Sequence, residues 1–241
     1  MISNKEIFKK VRDKTLVFTA TFNEAENIHE FLNSSLKLKD VDVLIIDDNS
    51  PDETSKIIES YQSKHKNLFL IKRSGKLGLD TAHKEGFEFA QKNNYKNLIT
   101  LDADLSHDPN QIPKFIKILQ TKPFVIGSRY IGGGKNEMKF SRLVLSYLGN
   151  KLIKFIFNIN CSEYTTSFRG FNLTLLKNFE IKNVKSKGYS FFMETIYQIH
   201  KSGNLIEETP IIFKDRKKGI SKIPKIESIR TLKNLFLLKI K

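Results

Sequence analysis

What the chain lacks narrows it first. Its 241 residues hold one cysteine, Cys161, so an internal disulfide framework is excluded and a reducing compartment fits. The apolar approach to that cysteine, Phe155 to Ile159, points to an inert thiol rather than a nucleophile. No stretch reaches the roughly 20 uninterrupted apolar residues of a membrane-spanning helix, so any contact with a bilayer is expected along its surface or through a borrowed anchor. Met1 to Lys14 is polar and charged, without the apolar centre of a signal peptide, and export by the usual secretory route is not expected. There is no internal repeat, low-complexity tract or proline-rich linker. Acid is in deficit: 26 Asp and Glu face 41 Lys and Arg, a formal charge of +15. That balance favours anionic partners such as a nucleotide, a nucleic acid or an anionic lipid surface.

What is present is ordinary for a folded protein. With 39% hydrophobic and 28% charged residues, the chain can bury a full core as one large domain, or as one domain with a small appendage. Short β-rich runs alternate with longer segments of helical period. The patterns predict strands at Thr15–Thr21, Val41–Ile46, Asn67–Ile71, Asn97–Leu101, Phe124–Ser128 and Glu207–Phe213. They predict helices near Ala25–Ser34, Glu53–His65, Thr81–Lys92, Asn110–Gln120, Ser141–Phe157 and Phe191–Ser202. This alternation predicts an α/β domain, a mostly parallel sheet with helices on both faces. The run Gly132-Gly133-Gly134-Lys135-Asn136 follows a strand and is expected to be a flexible loop near a site.

Polar residues collect where strands should end. Asp102-Ala103-Asp104 follows the apolar run Asn97 to Leu101, placing two carboxylates one residue apart at a strand terminus. Hard divalent cations take oxygen ligands, and open α/β sheets bind ligands beyond the carboxyl ends of their strands. Alone, the pattern reads equally as a solvated turn or a helix cap. Phe22-Asn23-Glu24 and Asp47-Asp48-Asn49-Ser50-Pro51-Asp52 end two further runs, and all three segments should gather along one sheet edge. There Asp48 can accept hydrogen bonds from a ribose or base and Phe22 can stack on the base, while Ser50 and Asp52 cap the following helix.

Several segments in order resemble the dolichyl- and polyprenyl-phosphate mannosyltransferases of glycosyltransferase family 2. They are Thr21 to Ile28, Ile46 to Asp52, Leu77-Gly78-Leu79, Asp102 to Pro109, Gly127 to Tyr130, Thr165 to Arg169, Ser186 to Tyr189, Asp215-Arg216 and Ser221-Lys222. The resemblance implies the nucleotide-sugar-binding A-type glycosyltransferase fold, Rossmann-like, over residues 15–222. A 1–14 extension precedes it and an amphipathic 223–241 segment follows. It implies nucleotide contacts from Ala20, Phe22, Glu24, Ile46 and Asp48, and a Mg²⁺ or Mn²⁺ ion held by Asp104 and Ser106, with Asp102 and Ala103 lining the diphosphate. Arg129 and Arg142 would bracket the acceptor phosphate and the sugar, and Arg216 and Lys222 would hold the donor diphosphate.

The implied reaction is inverting transfer of a hexose, mannose from GDP-mannose, to a polyprenyl or dolichyl phosphate at the cytoplasmic face of a membrane. The acceptor phosphate is already ionised near neutral pH, so no general base is required, and charge builds instead on the departing nucleoside diphosphate. Basic, apolar Ser141 to Ile159 and the tail around Ile226 to Leu238 would lie at the bilayer, or the first would pack on the sheet. A membrane-embedded partner subunit is compatible with this form of the chain. Departures from the family pattern include Ala20, Phe22, Asp80, Glu163 and Thr166. Asp80 matters most, because a carboxylate in a phosphate-proximal turn would repel the donor unless it turns away or binds a cation. Glucose or N-acetylhexosamine donors carried on UDP are therefore an alternative, as is a peripheral membrane scaffold without catalysis. A nucleic-acid-binding module lacks any recognisable motif here. For His107 the choice is metal ligand or polar loop contact; for Glu194, a site group or a satisfied core carboxylate; for Arg169, the sugar pocket or an ion pair with Glu163.

Overall fold

The computed structural model describes residues 12–215 together with Asn234, Leu235 and Leu238. Four strands, β1 (Arg12–Thr21), β2 (Val41–Asp47), β3 (Leu68–Lys72) and β4 (Tyr95–Thr100), alternate with helices α1 (Ala25–Ser35), α2 (Thr54–Gln62) and α3 (Leu79–Lys92). Then come α4 (Ile112–Leu119), β5 (Phe124–Ser128), the two-residue β6 (Lys135–Asn136), α5 (Phe140–Phe157), β7 (Arg169–Asn172), α6 (Ser190–Lys201), β8 (Glu207–Pro210) and β9 (Ile212–Phe213). The main sheet has seven strands in the order β3-β2-β1-β4-β7-β5-β8, and β6 pairs with β9 in a separate ribbon. Within the main sheet only β7 runs against its neighbours.

The central strands are buried on both faces, which is why they read as continuous apolar runs rather than alternating ones. Their side chains still divide by the period of two. Leu16, Phe18, Leu44 and Ile46 pack on one face with Ala82 and Phe87 of α3, Ile153 and Phe157 of α5 and Ile196 of α6. Val17, Val43, Ile45 and Ile99 pack on the other with Phe31 of α1, Ile58 of α2 and Phe115 of α4. Full burial of each such side chain contributes about 1.5–3 kcal/mol, so the sandwich of helix, sheet and helix is the stable arrangement of this pattern.

The expected elements are present with shifted ends, and two expectations fail. The expected strand Glu207–Phe213 is two strands in different sheets: β8 follows β5 as far as Pro210, Ile211 N–H bonds the Ser128 carbonyl, and Ile212 and Phe213 then pair with β6 instead. The glycine run after β5 is not a free loop. Gly134 N–H bonds the Ile131 carbonyl, Lys135 N–H bonds the Ile211 carbonyl, and a β-carbon at Gly134 would stand 2.8 Å from the Ser128 oxygen. Of the amphipathic tail, Leu235 and Leu238 are buried in the core beside α5 and α6; the rest of that expectation lies outside the described residues.

Candidate active site

Register brings the acidic segments together. Thr21 pairs with Asp47 and Phe18 with Thr100 in parallel ladders, so the chains leaving β1, β2 and β4 emerge side by side at the carboxyl edge of the sheet. Each exit contains a non-glycine residue in the left-handed region: Asn23, Asn49 and Leu105, with φ of 58°, 57° and 63°. Asparagine tolerates this conformation, whereas for leucine it costs about 1–3 kcal/mol and marks a turn dictated by its surroundings.

Asp47 organises the nucleotide side. Fully buried, it accepts hydrogen bonds from Thr21 Oγ1 (2.7 Å), Ser50 N (2.9 Å), Ser50 Oγ (2.6 Å) and Ser55 Oγ (2.7 Å). Asp52 ties two helices at once, accepting from Ala25 N (2.9 Å) at the start of α1 and Thr54 N (3.1 Å) at the start of α2. Of the two expected caps, Asp52 bonds the backbone of α2, whereas Ser50 Oγ accepts from Asn23 N (2.9 Å) and ties the two strand exits together. Asp48 forms a buried ion pair with Arg73, whose guanidinium also donates to Thr81 Oγ1 (2.6 Å) and the Gly78 carbonyl (3.1 Å). Phe22 is half-buried with the Lys76 ammonium 4.4 Å from its ring centroid. Ala20 and Glu24 are also half-buried, while Ile46 is fully buried in the core.

The acidic turn opens on a cavity of about 390 Å³. Asp102, Asp104 and Ser106 line one end, with Arg129 and Arg142; Leu145, Leu152, Ile153, Phe192 and Leu235 form an apolar wall. Asp104 Oδ1 accepts from Ser106 N (3.0 Å), closing the turn through Leu105. Asp102 accepts from Ser167 Oγ (2.7 Å) and stands 3.5 Å from His107 Nδ1. Ala103 points away into the core. Ribbon strand β9 clamps the turn from outside: Lys214 N–H bonds the Ser106 carbonyl (3.1 Å), and His107 bridges to Phe213. Two carboxylates and a hydroxyl are the oxygen donors that Mg²⁺ or Mn²⁺ takes, and no group of three His, Cys, Asp or Glu side chains among the described residues is arranged to hold a metal ion by itself. Such a set leaves coordination positions for water and phosphate oxygens.

His107 is a buried loop contact. Its Nε2 lies 3.0 Å from Thr166 Oγ1 and its ring packs against Phe168 and Phe213. Burial pulls its pKa down against the opposing pull of Asp102 and Asp104, so the ring is neutral. Arg129 lies at the cavity wall but is gripped from behind: Nε and Nη2 donate to Glu163 at 2.6 and 2.9 Å, and Nη2 also reaches Thr165 Oγ1 (2.9 Å). Burial alone would raise the Glu163 carboxyl, but the Arg129 charge and hydrogen bonds prevail and hold it below the usual range. Arg169 therefore does not pair with Glu163. Completely buried, it donates to the carbonyls of Thr166, Phe192 and Tyr164 at 2.8–2.9 Å. Glu194 accepts from Lys185 N (3.0 Å) and Ser186 N, which fixes the loop before α6. Arg142 is half-exposed, 3.7 Å from Asp215. Arg216 and Lys222 lie outside the described residues. Cys161 is buried and its thiol pushed up to about 12, first by burial.

The pairings Arg129–Glu163, Arg73–Asp48 and Asp80–Gly188 were not expected from sequence. Glu163 did carry a signal, since an acid in an otherwise apolar and hydroxylic stretch needs a buried cation.

Solved structures share the architecture. A mannosyltransferase from Pyrobaculum calidifontis, solved with GDP-Man and Mn²⁺, superposes with a TM-score of 0.58 at 18% identity, covering 95% of this chain and just under two thirds (64%) of that one. Glucosyl-3-phosphoglycerate synthase from Mycobacterium tuberculosis gives 0.69 at 16% identity, covering 94% and 79%. The fold is that of the A-type nucleotide-sugar transferases. Residues 16–179 match the Glycosyl transferase family 2 model, and the chain belongs to that family. Undecaprenyl-phosphate mannosyltransferase of Micrococcus luteus is 31% identical over 215 residues, 87% of each chain. Polyprenol monophosphomannose synthase of Mycolicibacterium smegmatis is 29% identical over 214 residues, 87% of this chain and 81% of its own.

Proposed function

We propose that this family 2 glycosyltransferase moves mannose from GDP-mannose to a polyprenyl phosphate with inversion, so that an α-linked nucleotide sugar gives a β-linked lipid phosphate sugar. The observation that carries the reading is a cavity with a carboxylate-lined end and an apolar wall along α5 and α6, a shape suited to a phosphate attached to an isoprenoid. The names of the relatives similar over most of the chain support the same substrates. A bound Mg²⁺ or Mn²⁺ would neutralise charge developing on the departing diphosphate.

The chain's own residues would do the rest. Asp104 and Ser106, with Asp102 beside them, would hold the ion, and the clamp from β9 would keep that turn fixed. Asp48, bound by Arg73, would present a fixed edge to the ribose or base, beside Phe22, Ala20 and Glu24. Arg142 can swing from Asp215 to the acceptor phosphate. Arg129, held by Glu163, would supply a rigid cation near the sugar, while Arg216 and Lys222 would hold the donor diphosphate. No base is needed, because the attacking phosphate oxygen is already ionised.

We also take the exposed side of α5 to face the cytoplasmic surface of a bilayer. Phe140 (79% exposed), Leu145 (66%), Leu148 (58%) and Phe155 (82%) stand there with Arg142, Lys151 and Lys154, the composition of an interfacial helix. No helix of the described residues is long and apolar enough to cross a membrane.

The test is incubation with Mg²⁺ or Mn²⁺, a short polyprenyl phosphate and, separately, GDP-mannose, UDP-glucose and UDP-N-acetylglucosamine. A metal-dependent β-linked mannolipid from GDP-mannose alone is expected. Product only from a UDP-sugar would replace the donor assignment, and no product from folded protein in detergent would overturn the reading.

A further inference from the structure

Asp80 is the acid whose position threatened the donor, and its placement gives it a different task. It sits in the first turn of α3, only 6% exposed, with its Oδ1 accepting a hydrogen bond from Gly188 N (3.0 Å), 108 residues away in sequence. The carboxyl is thus turned toward the loop before α6. Room for it comes from the preceding turn: Gly78 has φ +105°, and a β-carbon there would stand 3.2 Å from Asp80 Oδ1. Gly188 is also left-handed, at φ +59°, so its N–H is aimed by a turn that few other residues adopt. The next residue, Tyr189, lines the cavity. The same loop is held at its other end by Glu194 through Lys185 N and Ser186 N. Two carboxyls therefore fasten residues 185–189, one from within α6 and one from α3.

Through α3 the strap reaches the nucleotide side. Arg73, paired with Asp48, donates to the Gly78 carbonyl and to Thr81 Oγ1, so the turn that carries Asp80 is anchored to the end of β2. We infer that Asp80 is a positioning residue: its carboxyl fastens the Tyr189 loop, and with it the acceptor end of the cavity, to the anchored donor-side start of α3. The inference rests on the mannosyltransferase reading for what the cavity holds, but not for the strap itself.

Two readouts on the full chain separate them. Hydrogen–deuterium exchange tests the strap without substrate. In Asp80→Ala, peptides spanning 185–189 should exchange on the order of tenfold faster, since a part-buried N–H loses its acceptor, whereas Asp80→Asn, which keeps an acceptor oxygen, should stay near wild type. Steady-state kinetics tests the consequence. Asp80→Ala should raise KM for a short polyprenyl phosphate about tenfold, leave the Kd for GDP-mannose within about twofold, and be rescued by Asp80→Asn. Unchanged exchange in Asp80→Ala overturns the strap. Altered exchange with unchanged acceptor KM, or equal effects on donor and acceptor, overturns the positioning role. If wild type transfers nothing, the functional reading fails and the acceptor assignment with it, while the exchange result still decides the strap.

Discussion

Two acids, Asp104 lining the cavity and Glu163 buried behind Arg129, carry opposite risks, and their environments set what replacing each would do. Asp104 accepts from Ser106 N and lines the cavity, so Asp104→Asn keeps an oxygen for Ser106 N–H and removes the charge a cation needs. Turnover should fall at least about a hundredfold with an unchanged circular dichroism spectrum and urea midpoint. Transfer at the wild-type rate would remove Asp104 from the metal site. Glu163 is the reverse case. It is fully buried and neutralises Arg129, so Glu163→Ala strands a guanidinium in the interior and should cost about 3–5 kcal/mol in urea unfolding. Replacing the pair together, Glu163→Leu with Arg129→Met, should recover much of that loss, because the penalty belongs to the unpaired charge rather than to the missing bond. If the double variant is as unstable as the single one, the cation is not what makes Glu163 necessary. Activity of the stable double variant then reports on Arg129 alone: a protein as active as wild type would show that the fixed cation is not used in transfer.

The same physics decides which elements could be read from the chain. β2 and β5 were legible because strands buried on both faces are uninterrupted apolar runs, and α1 and α3 because their apolar residues recur at helical spacing. β7 was not. Arg-Gly-Phe-Asn has neither pattern, and it is a strand because β4 and β5 flank it and three backbone carbonyls satisfy its arginine. The metal turn was visible as two acids after a strand, whereas the partners of Arg129 and Asp80 lie 34 and 108 residues away, and no local pattern encodes such distances. Helix α5 was ambiguous for a physical reason: an apolar face can cover a sheet or meet lipid. It does the first with Ile153, Ile156 and Phe157, while Phe140, Leu145, Leu148 and Phe155 stay outward. Leu148→Glu and Phe155→Glu should therefore each weaken flotation with anionic vesicles by about tenfold, consistent with about 1.5–3 kcal/mol per buried apolar side chain, and leave the thermal midpoint unchanged. Full flotation of both variants would turn attention to a protein partner on this face.

At the scale of the whole molecule, a formal charge of +15 surrounds an interior that keeps two histidines neutral. His83 is enclosed by Phe18, Phe191 and Phe192, and burial, with some help from Arg169, lowers its pKa to about 3. His107 is lowered mainly by burial, against the nearby carboxylates. In the unfolded chain both titrate at about 6.5. Above that pH neither state binds the proton and the fold keeps its full stability. As pH falls below it the unfolded chain takes up protons that the folded chain refuses, so stability is lost toward the folded values, at about 1.4 kcal/mol per pH unit for each buried ring. Urea midpoints should thus decline between pH 7 and pH 5, a window above the usual range of exposed carboxylates. The added mutual repulsion of a cationic surface does not separate the two histidines from the rest, but substitution does. His83→Leu removes one titrating ring without introducing a charge, and its decline over the same window should be shallower by about 1.4 kcal/mol per unit. An equally steep decline in this variant would mean that His83 is protonated inside the fold, against the aromatic enclosure around it.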